Sequence, residues 1–151
     1  MEQLQKIYDR YIQELTAVKK AASPLADVFG SGGTKNHPCH TIFYKDLGEW
    51  VEAFLSADPA EEAVFSAAAY ILSAAAPQRK KPAYWYCFAA QGYLKQLIPL
   101  LSDEHCAILR QNFDELYSEQ ERLPLNQEIY DLLCRRGGHK SQKKRFFDFF
   151  R

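Results

Sequence analysis

Two stretches without a single charged residue, Ala63 to Gln78 and Pro82 to Leu94, constrain this chain more than any other feature. Each is too long for one strand, so each reads as a buried helix, with Arg79, Lys80 and Lys81 in the short link between them. Pro77 and Pro82 bracket that link, because proline donates no backbone hydrogen bond and disfavours helical geometry in the residue before it. A link this short makes its flanking helices antiparallel neighbours. The alanines at 63, 67, 68, 69, 74, 75 and 76 let a second helix approach closely, and Tyr84, Trp85, Tyr86, Phe88 and Tyr93 fill the space around them. Neither run reaches the roughly 20 apolar residues that a membrane span requires, and Ser66, Ser73 and Gln91 interrupt them.

Helical periodicity continues on both sides. Leu4, Tyr8, Tyr11, Leu15, Val18 and Ala22 recur at steps of three and four, with Ile7 and Ile12 widening the stripe and Lys6, Asp9, Arg10, Glu14 and Lys19 facing away. Ser23-Pro24 reads as a cap opening a short helical turn to Phe29, and Gly30 to His40 reads as a loop. From about Cys39 the apolar face is Phe43, Leu47, Trp50, Val51, Phe54 and Leu55. Asp58 as N-cap, Pro59 at the first helical position and Glu61 in a capping-box place predict a helix running to about Ala76. Pro99 kinks or ends the following helix, and Ser102-Asp103-Glu104 opens another whose buried stripe is Ile108, Leu109, Phe113, Leu116 and Tyr117. Asn126 caps a last helix containing Ile129, Leu132 and Leu133, which Gly137-Gly138 stops. No residue signature recurs at a fixed period, which argues against a repeat array. The expected fold is all-α: a single compact bundle of about six helices around the buried Ala/aromatic-rich hairpin, spanning residues 1–136 and followed by a tail at 137–151.

Charge removes some functions. Nineteen Lys plus Arg balance 19 Asp plus Glu, so the molecule lacks the overall field that draws a protein onto nucleic acid or an acidic membrane, and near-neutrality makes self-association plausible. Four dispersed cysteines with no CxxC pair fit neither a disulfide framework nor a zinc ribbon, and reduced thiols in the cytoplasm are the expectation. Met1 to Lys20 lacks the pattern of a secretory signal, so export is not expected.

The local balance is different. Residues 135–151 hold Arg135, Arg136, Lys140, Lys143, Lys144, Arg145 and Arg151 against Asp148 alone, so this segment carries +6 and residues 1–134 carry −6. Phe146, Phe147, Phe149 and Phe150 follow Lys143-Lys144-Arg145 directly. Three accounts stay open: the phenylalanines pack on the chain's own helices, they anchor a partner protein, or they accompany the bases onto anionic lipid or nucleic acid.

His37-Pro38-Cys39-His40 is the densest run of soft-metal donors, and His105-Cys106 is a second pair that folding could bring near it. Zinc needs four ligands at tetrahedral angles, which adjacent residues rarely supply, so the bland reading has Pro38 opening a helix and Cys39 packing as a small apolar group. Helix position and the neighbouring His40 favour thiolate at Cys39 in a reactive-thiol reading. Gly30 to Lys35 departs from the phosphate-loop pattern because Thr34 intervenes before Lys35 and no strand precedes it. The adjacent carboxylates Glu61-Glu62, Asp103-Glu104 and Asp114-Glu115 point about 100° apart on a helix and read as caps and solvated faces. Tyr70, Tyr84, Trp85, Tyr86 and Tyr93 serve as core, or reach the surface at an interface.

The sequence therefore leads to a non-enzymatic helical adaptor or regulatory protein with no cofactor. Its contact residues are Lys143, Lys144, Arg145, Phe146, Phe147, Phe149 and Phe150, and its partner is another protein or a second copy. The alternative is a metal- or thiol-dependent protein centred on His37, Cys39 and His40.

Overall fold

A computed structural model describes residues 1–21, 37–74, 87 and 89–136. Every described element is helical: six α-helices and three short 3-10 turns, with no strand among the described residues. The all-α class read from periodicity is the class observed. Contacts within the chain gather into two compact units, Met1–Pro59 with Ser73–Ala90, and Ala60–Leu72 with Gln91–Arg151.

In the first unit, α1 (Glu2–Ala21) packs against α2 (Pro38–Ser56). Tyr11 meets His40, Tyr8 meets Phe43 and Arg10 pairs with Asp46, so the two helices run antiparallel. The predicted stripe of α1 is buried at Leu4, Tyr8, Tyr11 and Leu15, and Ile7 joins it. Phe43 lies stacked on Tyr11, with centroids 4.2 Å apart and planes at 15°, and edge-on to Tyr8 at 5.1 Å and 77°. Both are favoured aromatic geometries, each contributing about 1 kcal/mol beyond the area they bury. Pro38 sits in the first turn of α2, where its missing N–H costs nothing, so the helix begins inside the segment read as loop. Trp50, Phe54 and Leu55, expected on the buried face, are only half-buried.

The end of α2 corrects the sequence reading of Asp58. Ala57 closes the helix through N–H bonds to Ala53 and Phe54, and Asp58 follows with φ of 50°, donating its N–H to Leu55. Asp58 thus occupies the left-handed position beyond a helix C-terminus, which aspartate tolerates better than most residues, instead of capping the next helix. The next helix, α3 (Glu61–Ala74), starts past Pro59, with the Ala60 carbonyl accepting the N–H groups of Ala63 and Val64.

In the second unit, Val64, Ala67, Ala68, Ile71 and Leu72 of α3 are buried. After Ala89 the chain tightens into a 3-10 turn, Ala90–Tyr93, then the single α turn α4 (Leu94–Leu97), then a 3-10 turn Ile98–Leu100 containing Pro99. The helix expected to continue to Pro99 is therefore interrupted from Ala90 onward. Helix α5 (Asp103–Leu116) opens as predicted, with the Ser102 Oγ accepting the His105 N–H at 3.2 Å. Its buried stripe is Cys106, Leu109, Phe113 and, just past its end, Tyr117, whereas Ile108 is 41% exposed because it lies one position off that line. Glu61 reaches Ser102 and the Tyr117 hydroxyl reaches the Leu72 carbonyl, so α3 and α5 run parallel. Helix α6 (Pro124–Arg136) returns antiparallel to α5, with Tyr130 against Phe113 and Arg136 donating to the Leu101 carbonyl at 2.6 Å.

Asn126 does not cap α6 in the manner expected, since the helix has already begun at Pro124. Its Oδ1 reaches back to accept the Leu123 N–H at 3.1 Å, and its Nδ2 donates to Gln91 Oε1 at 2.6 Å. Gln91, 0% exposed, also donates to the Tyr117 hydroxyl at 2.9 Å and the Leu72 carbonyl at 3.2 Å. One amide thereby joins α3, the residue following α5, and α6. Gln91→Leu would strand the Asn126 amide and weaken the satisfaction of the Leu72 carbonyl, each inside the unit. We expect a loss of about 2–3 kcal/mol in urea unfolding; a change below about 0.5 kcal/mol, the size of an ordinary surface substitution, would show the network to be dispensable.

Candidate functional site

The predicted donors at the head of α2 are each engaged separately. His37 is the N-cap, with Nδ1 accepting the Cys39 N–H at 3.1 Å. His40 is buried, with Nδ1 2.8 Å from the Tyr11 hydroxyl and its ring edge-on to Tyr11 at 5.7 Å. Cys39 is buried between them in sequence, and burial, followed by the negative charge of Glu14, pushes its thiol above the ordinary range. That direction opposes the thiolate expected from the helix N-terminus and His40: desolvation outweighs the local backbone hydrogen bonds that pull the other way. His105 and Cys106 belong to the other unit. Among the described residues no group of three or more His, Cys, Asp or Glu side chains is arranged to hold a metal ion.

Periodicity did not anticipate the ionisable cluster at the parallel N-terminal ends of α3 and α5. Glu61 Oε1 accepts the Ser102 backbone N–H at 2.6 Å and lies 2.7 Å from His105 Nδ1. Glu62 Oε1 stands 3.5 Å from Nε2 of the same ring, and Phe65 stacks on that ring with centroids 4.3 Å apart at 17°. His105 is held to 16% side-chain exposure between them. Glu61 and Glu62 therefore share one partner, contrary to the expectation that adjacent carboxylates diverge. The imidazole's two nitrogens lie on opposite edges, and glutamate is long enough to reach each from neighbouring positions. The sequence signal was Glu61 and Glu62, four and three residues before Phe65, the spacings that put each on the helical face of that ring.

A second cluster fixes the 117–123 connection. Arg122, its side chain 7% exposed, donates from Nη2 to Asp114 Oδ1 at 2.9 Å and lies 4.0 Å over the Tyr130 ring and 5.3 Å over Phe113. Such a guanidinium is simultaneously paired and stacked, a combination arginine supplies and lysine does not. Burial, then the Asp114 charge, pushes the Tyr130 hydroxyl up.

A shallow cleft of about 560 Å³ lies between α1 and α2, lined by Gln3, Lys6, Ile7, Arg10, Asp46, Glu49, Trp50 and Ala53. Its charges are locally paired: Lys6 with Glu2 at 2.6 Å, Arg10 with Asp46, and Glu49 with Lys45 at 3.7 Å. Of the aromatic residues singled out in the hairpin, Tyr70 and Tyr93 are half-buried, while Tyr84, Trp85 and Tyr86 lie outside the described residues. Also outside them are the Pro24 to Phe29 turn, the Gly30 to Lys35 segment and the predicted contact residues Lys143, Lys144, Arg145, Phe146, Phe147, Phe149 and Phe150. No described helix is long and apolar enough to cross a membrane. Comparison with known protein families, curated proteins and solved structures finds no match to this chain.

Two predictions follow from these geometries. Hydrogen bonding from Ser102, through its side chain and then its N–H, with His105 adding to it, holds the Glu61 carboxyl down at about 2, against 4.5 for an unperturbed glutamate. A carboxyl depressed in the fold stabilises it fully above the unfolded value and loses that contribution as pH falls toward the folded value. Stability should therefore drop between about pH 4.5 and pH 2, and Glu61→Gln should flatten that part of the curve. Urea midpoints measured across the window test this, and parallel curves for the two proteins would refute it. The thiols should also react in order of access. Cys39, Cys87 and Cys106 are buried, and desolvation pushes Cys87 to about 12, whereas Cys134 is half-buried on α6. Native alkylation followed by peptide mass mapping should label Cys134 first; labelling of Cys39 ahead of it would revive a reactive-thiol site.

Proposed function

We propose that this chain is a non-enzymatic, cytoplasmic helical adaptor or regulatory protein that acts by binding another protein or a second copy of itself, with residues 137–151 as the principal contact. The observation that carries the reading is the sequence of that segment, in which Lys143, Lys144 and Arg145 run directly into Phe146, Phe147, Phe149 and Phe150. Phenylalanine and arginine are among the residue types enriched at protein interfaces, where a few buried anchors carry most of the binding energy. The structure lends support from the other side of the junction, because α6 ends at Arg136, whose guanidinium is tied to the Leu101 carbonyl. The contact segment thus follows an anchored helix. The imidazoles of His37, His40 and His105 are engaged in capping or in pairing one helix with another, which favours a scaffold role for the groups best suited to acid–base chemistry. Four free thiols support the cytoplasmic placement.

The test uses the full-length chain and two variants, one carrying F146A, F147A, F149A and F150A and the other K143E, K144E and R145E. Partners captured by the parent protein should bind the first variant more than tenfold more weakly, as expected when aromatic anchors are removed. The circular-dichroism melt should be unchanged. Full retention of every partner by both variants would overturn the proposal. Loss confined to the charge variant, accompanied by loss of binding to anionic vesicles or to nucleic acid, would replace a protein partner with a polyanionic one.

A further inference from the structure

We draw no further inference here: the strongest candidate, the cleft between α1 and α2 lined by Ile7 and Trp50 among others, has its charged lining residues already paired within its own unit, and nothing in the structure shows what covers it.

Discussion

The buried amide of Gln91 is the interaction on which the second unit turns. Without solvent to satisfy it, this side chain has to find partners inside, and it finds three: the Leu72 carbonyl, the Tyr117 hydroxyl and the Asn126 amide. Tyr117 closes the circuit by donating to Leu72, and Asn126 by accepting the Leu123 N–H. A hydrophobic contact tolerates small shifts in register, whereas an amide with directional bonds to three elements does not. The buried apolar residues of the same unit, Ala68, Ile71, Phe113 and Ile129 among them, supply burial without direction. Gln91 therefore selects one arrangement among the several that those residues would permit.

The first unit solves the same problem with aromatic rings. Tyr8, Tyr11 and Phe43 interlock across α1 and α2, and the Tyr11 hydroxyl meets His40, so a single face carries both bulk and direction. The ends of the helices in the second unit are held by charge. Glu61 places a carboxylate against the Ser102 N–H that begins α5, where the helix dipole favours negative charge, and the same carboxylate engages His105. Arg122 does for the end of α5 what Glu61 does for its start, joining Asp114 and Tyr130 through one planar cation.

How legible this was depended on the range of the interaction. Helix α1 and the Phe43, Leu47 and Val51 line of α2 were readable because both follow from the spacing of apolar residues along one segment. Ser102 was readable because capping acts within three residues. Asp58 was misassigned because aspartate before proline fits two local patterns, an N-cap and a left-handed residue after a helix, and only the hydrogen bonds closing α2 at Ala57 decide between them. Asn126 and Glu61 were assigned local capping roles, yet their side chains satisfy long-range partners, Gln91 and His105. Gln91 itself stood in the sequence only as a polar interruption of an apolar run. Its role depends on residues 19, 26 and 35 positions away, which no window of periodicity contains.

The same distinction bears on function. A catalytic constellation is assembled by tertiary packing, as the Gln91 network is, so its presence would have been equally hard to read from spacing. In the described residues, the groups that packing brings together are committed to one another: His105 to Glu61 and Phe65, His40 to Tyr11, Arg122 to Asp114 and Tyr130. A linear recognition segment is different, because its meaning lies in contiguous residues. The run from Lys143 to Phe150 sets three cations directly before four phenylalanines, a juxtaposition written in the sequence itself. Helix α6, antiparallel to α5, is fastened at Leu101 by Arg136.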